Sequence, residues 1–311
     1  MRKSFDTVIL GGGPAGMSAG IYSCRGACST AIVDTCILGG QPANYLELEN
    51  YPGFSKIGGL DLMDKFEEHV NSFGVQKFLM QEILEIDLKS NPKVIKTKEH
   101  EIEAKTVIIA TGAKPAKLNV EGEDDFIGRG VSYCAVCDGA FYRDKVVAVV
   151  GGGNSALEEA NYLTKFASKV YLIHRRDTFR ADKIIQARVL SNPKIEVITD
   201  AVIERIGGKD LVNAIVLRNL KNETISMLPV NGVFPYIGLN PNVEHISGQV
   251  NQDANGFIIT DETMQTSIPG VFAVGDVRQT PLRQVVTATA DGAIGAVYAR
   301  KYLESLTEIP A

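Results

Sequence analysis

The apolar positions of this chain fall in short runs that feed directly into glycines. Thr7–Leu10 is such a run; three glycines follow it, and Pro14 to about Arg25 reads as helix. The run predicts a strand, the glycines a tight turn, and Ser29–Val33 a second strand. The same order recurs far downstream. Val146–Val150 predicts a strand, Gly151–Gly153 a turn, Ala156–Phe166 a helix and Lys169–Ile173 a strand. Strand, glycine turn, helix, strand is the βαβ unit, and two copies make an internal duplication rather than a short repeat.

Between the two copies, TVIIATG (106–112) gives way to the Pro- and Gly-bearing KPAKLNVEGEDD, and GVFPYIGLNPN (232–242) closes the second copy. Strand-like and helix-like runs then resume. The pattern predicts a nested α/β architecture of two Rossmann-like, three-layer ββα-type nucleotide-binding domains, the second inserted within the first. The outer domain is expected over 1–114 plus 246–311 and the inserted one over 115–245.

Composition narrows the functional class. The 311 residues are 45% hydrophobic and 22% charged with a net charge of −5, the profile of a globular chain without a net basic face for nucleic acid. The apolar run before Gly11 is too short for a secretory signal, and no stretch approaches the roughly 20 apolar residues of a membrane span. A cytoplasmic protein is expected, acting on neither nucleic acid nor membrane. In that reducing compartment a close cysteine pair points to catalysis. The five cysteines are an odd number, and no second Cys or His pair stands at zinc spacing, so no metal is expected. Cys24, Cys28 and Cys36 read as small packing residues, and His69, His100 and His245 suggest no role.

Each predicted turn carries a dinucleotide fingerprint: Gly11-x-Gly13-x-x-Gly16 and Gly151-x-Gly153-x-x-Ala156. The first glycine makes the turn, the second admits a pyrophosphate, and the third small residue lets helix and strand pack closely. The helix N-terminus adds free N–H groups and partial positive charge. Asp34 lies 23 positions after Gly11, and His174 lies 23 after Gly151, followed by Arg175 and Arg176. Equivalent positions thus carry opposite charge. A carboxylate accepts ribose hydroxyls and repels a 2′-phosphate, whereas arginines pair with one. The first site is expected to take FAD or NAD and the second NADP, with Arg180 as a third positive contact.

Cys134-Ala-Val-Cys137 precedes the second βαβ unit, with Asp138 next to it. The spacing suits a redox disulfide or half of a zinc site, and the other zinc half is missing. Beside two nucleotide sites a redox disulfide is the economical reading, with two buried reduced cysteines as the bland one. A flavin is the usual carrier between nicotinamide and sulfur, so one thiolate is expected to face it and the other to attack a partner disulfide. Asp138 is the adjacent candidate for proton transfer.

These residues together resemble the low-molecular-weight thioredoxin reductases of bacteria over nearly the whole chain. The resemblance is carried by GGGPAG (11–16), GGQ (39–41), ENYPGF (49–54), ATG (110–112), GVSYCAVCDGAF (130–141), GGGNSALEEA (151–160), HRRDTFR (174–180), TSIPGVFAVGDV (266–277) and LRQVVTATADG (282–292). It implies that FAD is held by the domain built from both chain ends. Gly11, Gly13, Pro14, Ala15, Gly16 and Asp34 would serve its nucleotide half. Gly40, Gln41, Asn50, Thr111 and Gly112 fall in further contact segments. Asp276 would bond the ribityl chain, Arg283 and Gln284 would face the ring, and Gly275 and Val285 would also contact FAD. NADPH would be held by Gly151, Gly153, Asn154, Ser155, Ala156, His174, Arg175, Arg176 and Arg180.

The resemblance also implies that Cys137 faces the flavin, Cys134 attacks thioredoxin and Asp138 moves the proton, in a homodimer whose domains alternate between two orientations; the nested boundaries place the hinge for that exchange in strand-like connectors near 113–117 and 243–247. Asn154 stands where the family often has Asp, and Ala140 precedes Phe141 where two aromatics are frequent, which bears on partner docking. Relatives that use ferredoxin have lost the second glycine motif and its arginines; this chain keeps both. A reductase of the same build with a glutaredoxin-like or peroxiredoxin-linked partner, and a flavin redox sensor without turnover, are the alternatives.

Overall fold

The computed structural model describes residues 1–44, 48 and 50–307, with the side chains of residues 136, 137 and 307 outside that description. The chain divides into two compact units, residues 1–114 with 240 onward, and Pro115–Leu239. The second unit is inserted in the first.

The first unit runs β1 (Arg2–Leu10), α1 (Pro14–Arg25), β2 (Thr30–Val33), α2 (Gly59–Ser72), β3 (Gln76–Phe78), β4 (Ile83–Asp87), β5 (Lys93–Thr97), β6 (Glu101–Ile109) and β7 (Ala113–Pro115). The inserted unit follows with α3 (Ala135–Asp138), β8 (Val146–Val150), α4 (Asn154–Leu163), β9 (Lys169–Ile173), α5 (Lys183–Leu190), β10 (Ile195–Ile198), β11 (Ala201–Gly208), β12 (Val212–Asn219), β13 (Ile225–Pro229) and β14 (Gly232–Pro235). The chain returns through β15 (Leu239–Pro241) to β16 (Val271–Ala273) and α6 (Val285–Thr307).

In the first unit β3, β2, β1, β6 and β16 are parallel neighbours, while β6 also pairs antiparallel with β5, and β5 with β4. The period of two along the parallel strands builds three layers. Ile9, Ile32, Ile108 and Phe272 point to the face covered by α1, α2 and α6. Their neighbours Val8, Leu10, Val33, Val107 and Ile109 point to the opposite face, where Ile86 and Ile95 of the antiparallel arm close a second core. Strands buried on both faces read as unbroken apolar runs, which is why Thr7–Leu10 was legible. The strand itself begins at Arg2, because its polar half pairs with Glu101–Ala104.

The inserted unit repeats this plan. Its parallel sheet has the order β10-β9-β8-β14, and a separate antiparallel sheet has the order β11-β12-β13. Val147, Val149, Leu172 and Phe234 pack under α4 and α5, and Ala148, Val150, Ile173 and Val233 pack on the antiparallel sheet. Helix α4 is displaced from its expected 156–166 span. The Gly153 carbonyl accepts the Leu157 N–H, so the helix starts at Asn154; after Leu163 the bonds tighten to a three-residue spacing.

The crossings between the units fall at 114/115 and 239/240, in β7 and β15, which pair with each other. The return comes six residues before the expected 245/246. The reason is local: Asn242 is tied to the first unit through its N–H to the Gly112 carbonyl and its Nδ2 to the Thr111 carbonyl, and Glu244 pairs with Lys114 at 2.5 Å.

Candidate nucleotide sites and redox turn

The first site is the turn between β1 and α1. Gly11 adopts φ +106°, a conformation favouring glycine, and its N–H donates to the Val33 carbonyl. A Cβ on Gly16 would overlap the Gly11 carbonyl oxygen, so the third glycine is required by the close approach of helix and turn. Gly13 is the N-cap of α1 and supplies no side-chain cap, and Pro14 occupies the first turn, leaving the helix start open to an anion. Asp34, at the end of β2, orients the turn: its Oδ2 accepts the Gly12 N–H at 2.6 Å and its Oδ1 the Cys36 N–H at 2.8 Å.

The other expected flavin-site segments gather on the same unit. The Gly39 N–H donates to the Gly12 carbonyl, which sets Gly40 beside Gly13. Gln41 Nε2 donates to the Ala113 carbonyl, and Asn50 Nδ2 to Gln284 Oε1 at 2.8 Å. Thr111 Oγ1 donates to the Asn242 carbonyl, so this hydroxyl is used within the protein. Gly275 stands against Ala15, and its N–H donates to Asp291, which is itself paired with Arg278 at 2.8 Å. Burial pushes the Asp276 carboxyl up; Arg283 opposes this and Asp291 adds to it. Arg283 lies over the Phe257 ring at 4.1 Å, and its Nε is buried with no partner among the described residues. An open helix start, a carboxylate at the strand end and an orphaned buried N–H at the far end fit an extended dinucleotide with a polar ring system.

The second site repeats the first. Gly151 adopts φ +151° and its N–H donates to the Ile173 carbonyl; Gly153 caps α4 with no atom within 4 Å of its missing Cβ. Ala156 is fully buried, and Ser155 is exposed at the helix start. Asn154 and Asp182 bond reciprocally, Nδ2 to Oδ2 and N–H to Oδ1, both at 2.8 Å. An Asp at 154 would set two carboxylates together, which gives the Asn a local reason.

The Arg180 N–H donates to the Gly152 carbonyl at 2.8 Å, tying the arginine loop to the turn. Arg175, Arg176 and Arg180 are exposed, and among the described residues none of them is in an ion pair. His174 is placed differently from its neighbours. It is buried, its ring fills the space over Gly152, its Nε2 meets the Thr178 carbonyl at 3.1 Å, and it stacks on Phe179. Burial, with smaller contributions from the three arginines, holds its pKa down. His174 therefore supports the loop from beneath, and the arginines carry its positive charge.

The redox turn belongs to the same unit. Cys134 is disulfide-bonded, whereas Cys24, Cys28 and Cys36 are free; the Cys137 side chain lies outside the described residues. Ser132 Oγ accepts the Cys134 N–H, and the Cys134 carbonyl accepts the Asp138 N–H. Asp138 is half-buried, and its charge, after burial, helps raise the Tyr142 hydroxyl to about 12. Phe141 is 72% exposed immediately beyond the turn.

Three further residues of this unit have contacts or burial that no local sequence pattern signals. Glu123, only 2% exposed, accepts the Leu118 and Asn119 N–H groups and the Tyr133 hydroxyl. Tyr236 Oη accepts the Ala135 N–H. Glu159 has a buried Oε2 with no partner among the described residues, and burial, then Glu158, push it to about 7. Glu159 stood inside a quoted motif; Glu123 and Tyr236 stood in segments that carried only boundary signals.

The model of the family described as pyridine nucleotide-disulphide oxidoreductase matches residues 5–292. Thioredoxin reductase of Listeria innocua is 43% identical over 99% of this chain and 96% of its own, and that of Bacillus subtilis is 43% identical over 99% and 97%. The crystal structure of Lactococcus lactis thioredoxin reductase in its FR conformation aligns with a TM-score of 0.92 at 43% identity, over 97% of this chain and 99% of the other. Such relatives imply a flavin and a pyridine nucleotide. The chain belongs to the pyridine nucleotide-disulphide oxidoreductase family, in the branch of the low-molecular-weight thioredoxin reductases.

Proposed function

We propose that the protein is an NADPH-dependent, FAD-containing reductase of the thioredoxin disulfide. The observation that carries this reading is the disulfide at Cys134, placed in the unit that also presents the uncapped Gly153 turn and three exposed arginines without an ion pair among the described residues. When bound, the flavin and nicotinamide supply the two-electron chemistry that no side chain here can perform.

The protein's own residues do the rest. The Gly11–Gly16 and Gly151–Ala156 turns hold phosphates on open helix starts. Asp34 selects a ribose without 2′-phosphate; Arg175, Arg176 and Arg180 select a 2′-phosphate by charge-assisted bonds. Reduction of the Cys134–Cys137 disulfide consumes two electrons and two protons. Cys134, half-exposed, then attacks the thioredoxin disulfide as a thiolate, and Cys137 resolves the mixed disulfide. Asp138 holds or returns the proton at the sulfurs. Exposed Phe141 offers an apolar anchor for thioredoxin beside the turn. The likeness to thioredoxin reductases supports action as a cytoplasmic homodimer. Among the described residues, no helix is long and apolar enough to cross a membrane.

The test is NADPH oxidation coupled to a disulfide dye through thioredoxin, with wild type and Cys134→Ser. Wild type should reduce the dye only with thioredoxin present. The variant should still bleach its flavin on NADPH addition while dye reduction disappears. Dye reduction through a different carrier but not thioredoxin would assign another disulfide partner, and turnover by the variant would remove Cys134 from the reaction.

A further inference from the structure

Gly232, Phe234 and Tyr236 stand two residues apart along β14 and its continuation, so they share one face. Each of them meets the redox segment. The Tyr142 ring fills the space over Gly232 and packs edge-on against Phe234, centroids 5.2 Å apart. Tyr236 Oη accepts the Ala135 N–H at 2.9 Å, at the residue after Cys134. The main chain of Tyr236 meanwhile belongs to the phosphate turn. Its N–H donates to the Val150 carbonyl at 2.7 Å, and its carbonyl oxygen occupies the space beside Gly151. Tyr236 also packs on the buried cluster containing Ala135 and Ala156. A single residue thus touches the first glycine of the nucleotide turn through its backbone and the redox helix through its side chain. Interiors packed at this density pass displacements on rather than absorb them.

We propose that Tyr236 is a positioning residue that couples occupancy of the second nucleotide site to the redox equilibrium of Cys134. The proposal rests on the reading of Gly151–Ala156 as the pyridine-nucleotide turn. A ligand that draws its phosphates onto the turn shifts Gly151, and Tyr236 carries the shift to the Ala135 amide. Opening the disulfide, with two electrons and two protons taken up and two thiols formed, relaxes residues 134–138 and acts back along the same route. Linkage makes the two effects equal in free energy.

The test uses the holoenzyme in dithiothreitol redox buffers, where the dithiol is oxidised to its cyclic disulfide as Cys134 is reduced. Alkylated Cys134 is quantified by mass spectrometry, with and without the 3-aminopyridine analogue of NADP+, which cannot accept hydride. In the wild type the analogue should change the equilibrium constant at least fivefold, about 21 mV for a two-electron couple. In Tyr236→Phe the change should fall below twofold, with the analogue still bound by direct titration. Tyr142→Phe, which leaves the contacts of Tyr236 with Ala135 and Gly151 in place, should keep the wild-type change. An undiminished change in Tyr236→Phe, or none in the wild type with analogue bound, overturns the coupling alone. An analogue that does not bind the wild type, or binds equally well to Arg175→Ala/Arg176→Ala, overturns the site reading and the coupling with it.

Discussion

The Tyr133 hydroxyl, one residue before the redox cysteine, donates to the buried Glu123 carboxylate at 2.8 Å. The same carboxylate receives the N–H groups of Leu118 and Asn119, just past the first crossing between units. Burial and Glu123 together push the Tyr133 pKa up. Glu123→Gln keeps the size but cannot accept all three donors. It is expected to lower unfolding free energy by about 2 kcal/mol, because charge-assisted bonds are lost and the part-buried Asn119 N–H is left unpaired. Tyr133→Phe should cost only about 1 kcal/mol. Urea unfolding checks both; a smaller loss for Glu123→Gln than for Tyr133→Phe contradicts the assignment.

Gly16 and Ala156 are equivalent in the two turns but not in space. A Cβ at 16 would overlap the Gly11 carbonyl, whereas the Ala156 methyl is accommodated, with full burial, under Gly151. Gly16→Ala is expected to raise the flavin dissociation constant at least tenfold, roughly the effect of losing 1.4 kcal/mol or more at the turn. Ala156→Gly should retain nucleotide binding and lose about 1 kcal/mol of stability. Flavin titration of the apoproteins decides, and an unchanged dissociation constant in Gly16→Ala refutes the argument.

Arg175 and Arg176 are exposed and, among the described residues, in no ion pair, so their replacement should perturb little besides an arriving anion. In Arg175→Ala/Arg176→Ala the KM for NADPH should rise on the order of 10–100-fold, the size of one lost charge-assisted contact or more, with the KM for NADH nearly unchanged. Steady-state kinetics with both nucleotides test this. Equal effects on the two would remove the 2′-phosphate assignment.

Glu159 gives stability a defined pH dependence. Its carboxyl titrates at about 7 in the fold against 4.5 as the ordinary value. Between these limits the folded chain keeps a proton that the unfolded chain has released, so stability falls as pH rises through that window. Glu159→Gln removes the penalty. The variant should gain on the order of 2 kcal/mol over the wild type at pH 8 and nothing at pH 4.5, read by urea unfolding. A gain of equal size at both pH values would exclude titration as the cause.

The glycine turns, their flanking strands and the opposed charges at Asp34 and His174 were legible because they are local. Apolar runs, turn glycines and a fixed offset report backbone geometry within about thirty residues, and β8 and β9 have the bounds their apolar runs indicate. The offset located His174 but not the direction of its ring, since that depends on the empty space over Gly152. The Cys-x-x-Cys motif was likewise visible without the supports that hold it.

By itself, then, the sequence determined the duplicated βαβ plan, the nested order of the two units and the chemistry each turn can offer. Tertiary structure alone decided which distant side chains complete those turns: Tyr236 on Ala135, 101 residues away, and Asn50 on Gln284, 234 residues away. The physical reason is that periodicity encodes which face of an element is buried, whereas the partner met on that face is set by packing between elements that no local pattern records.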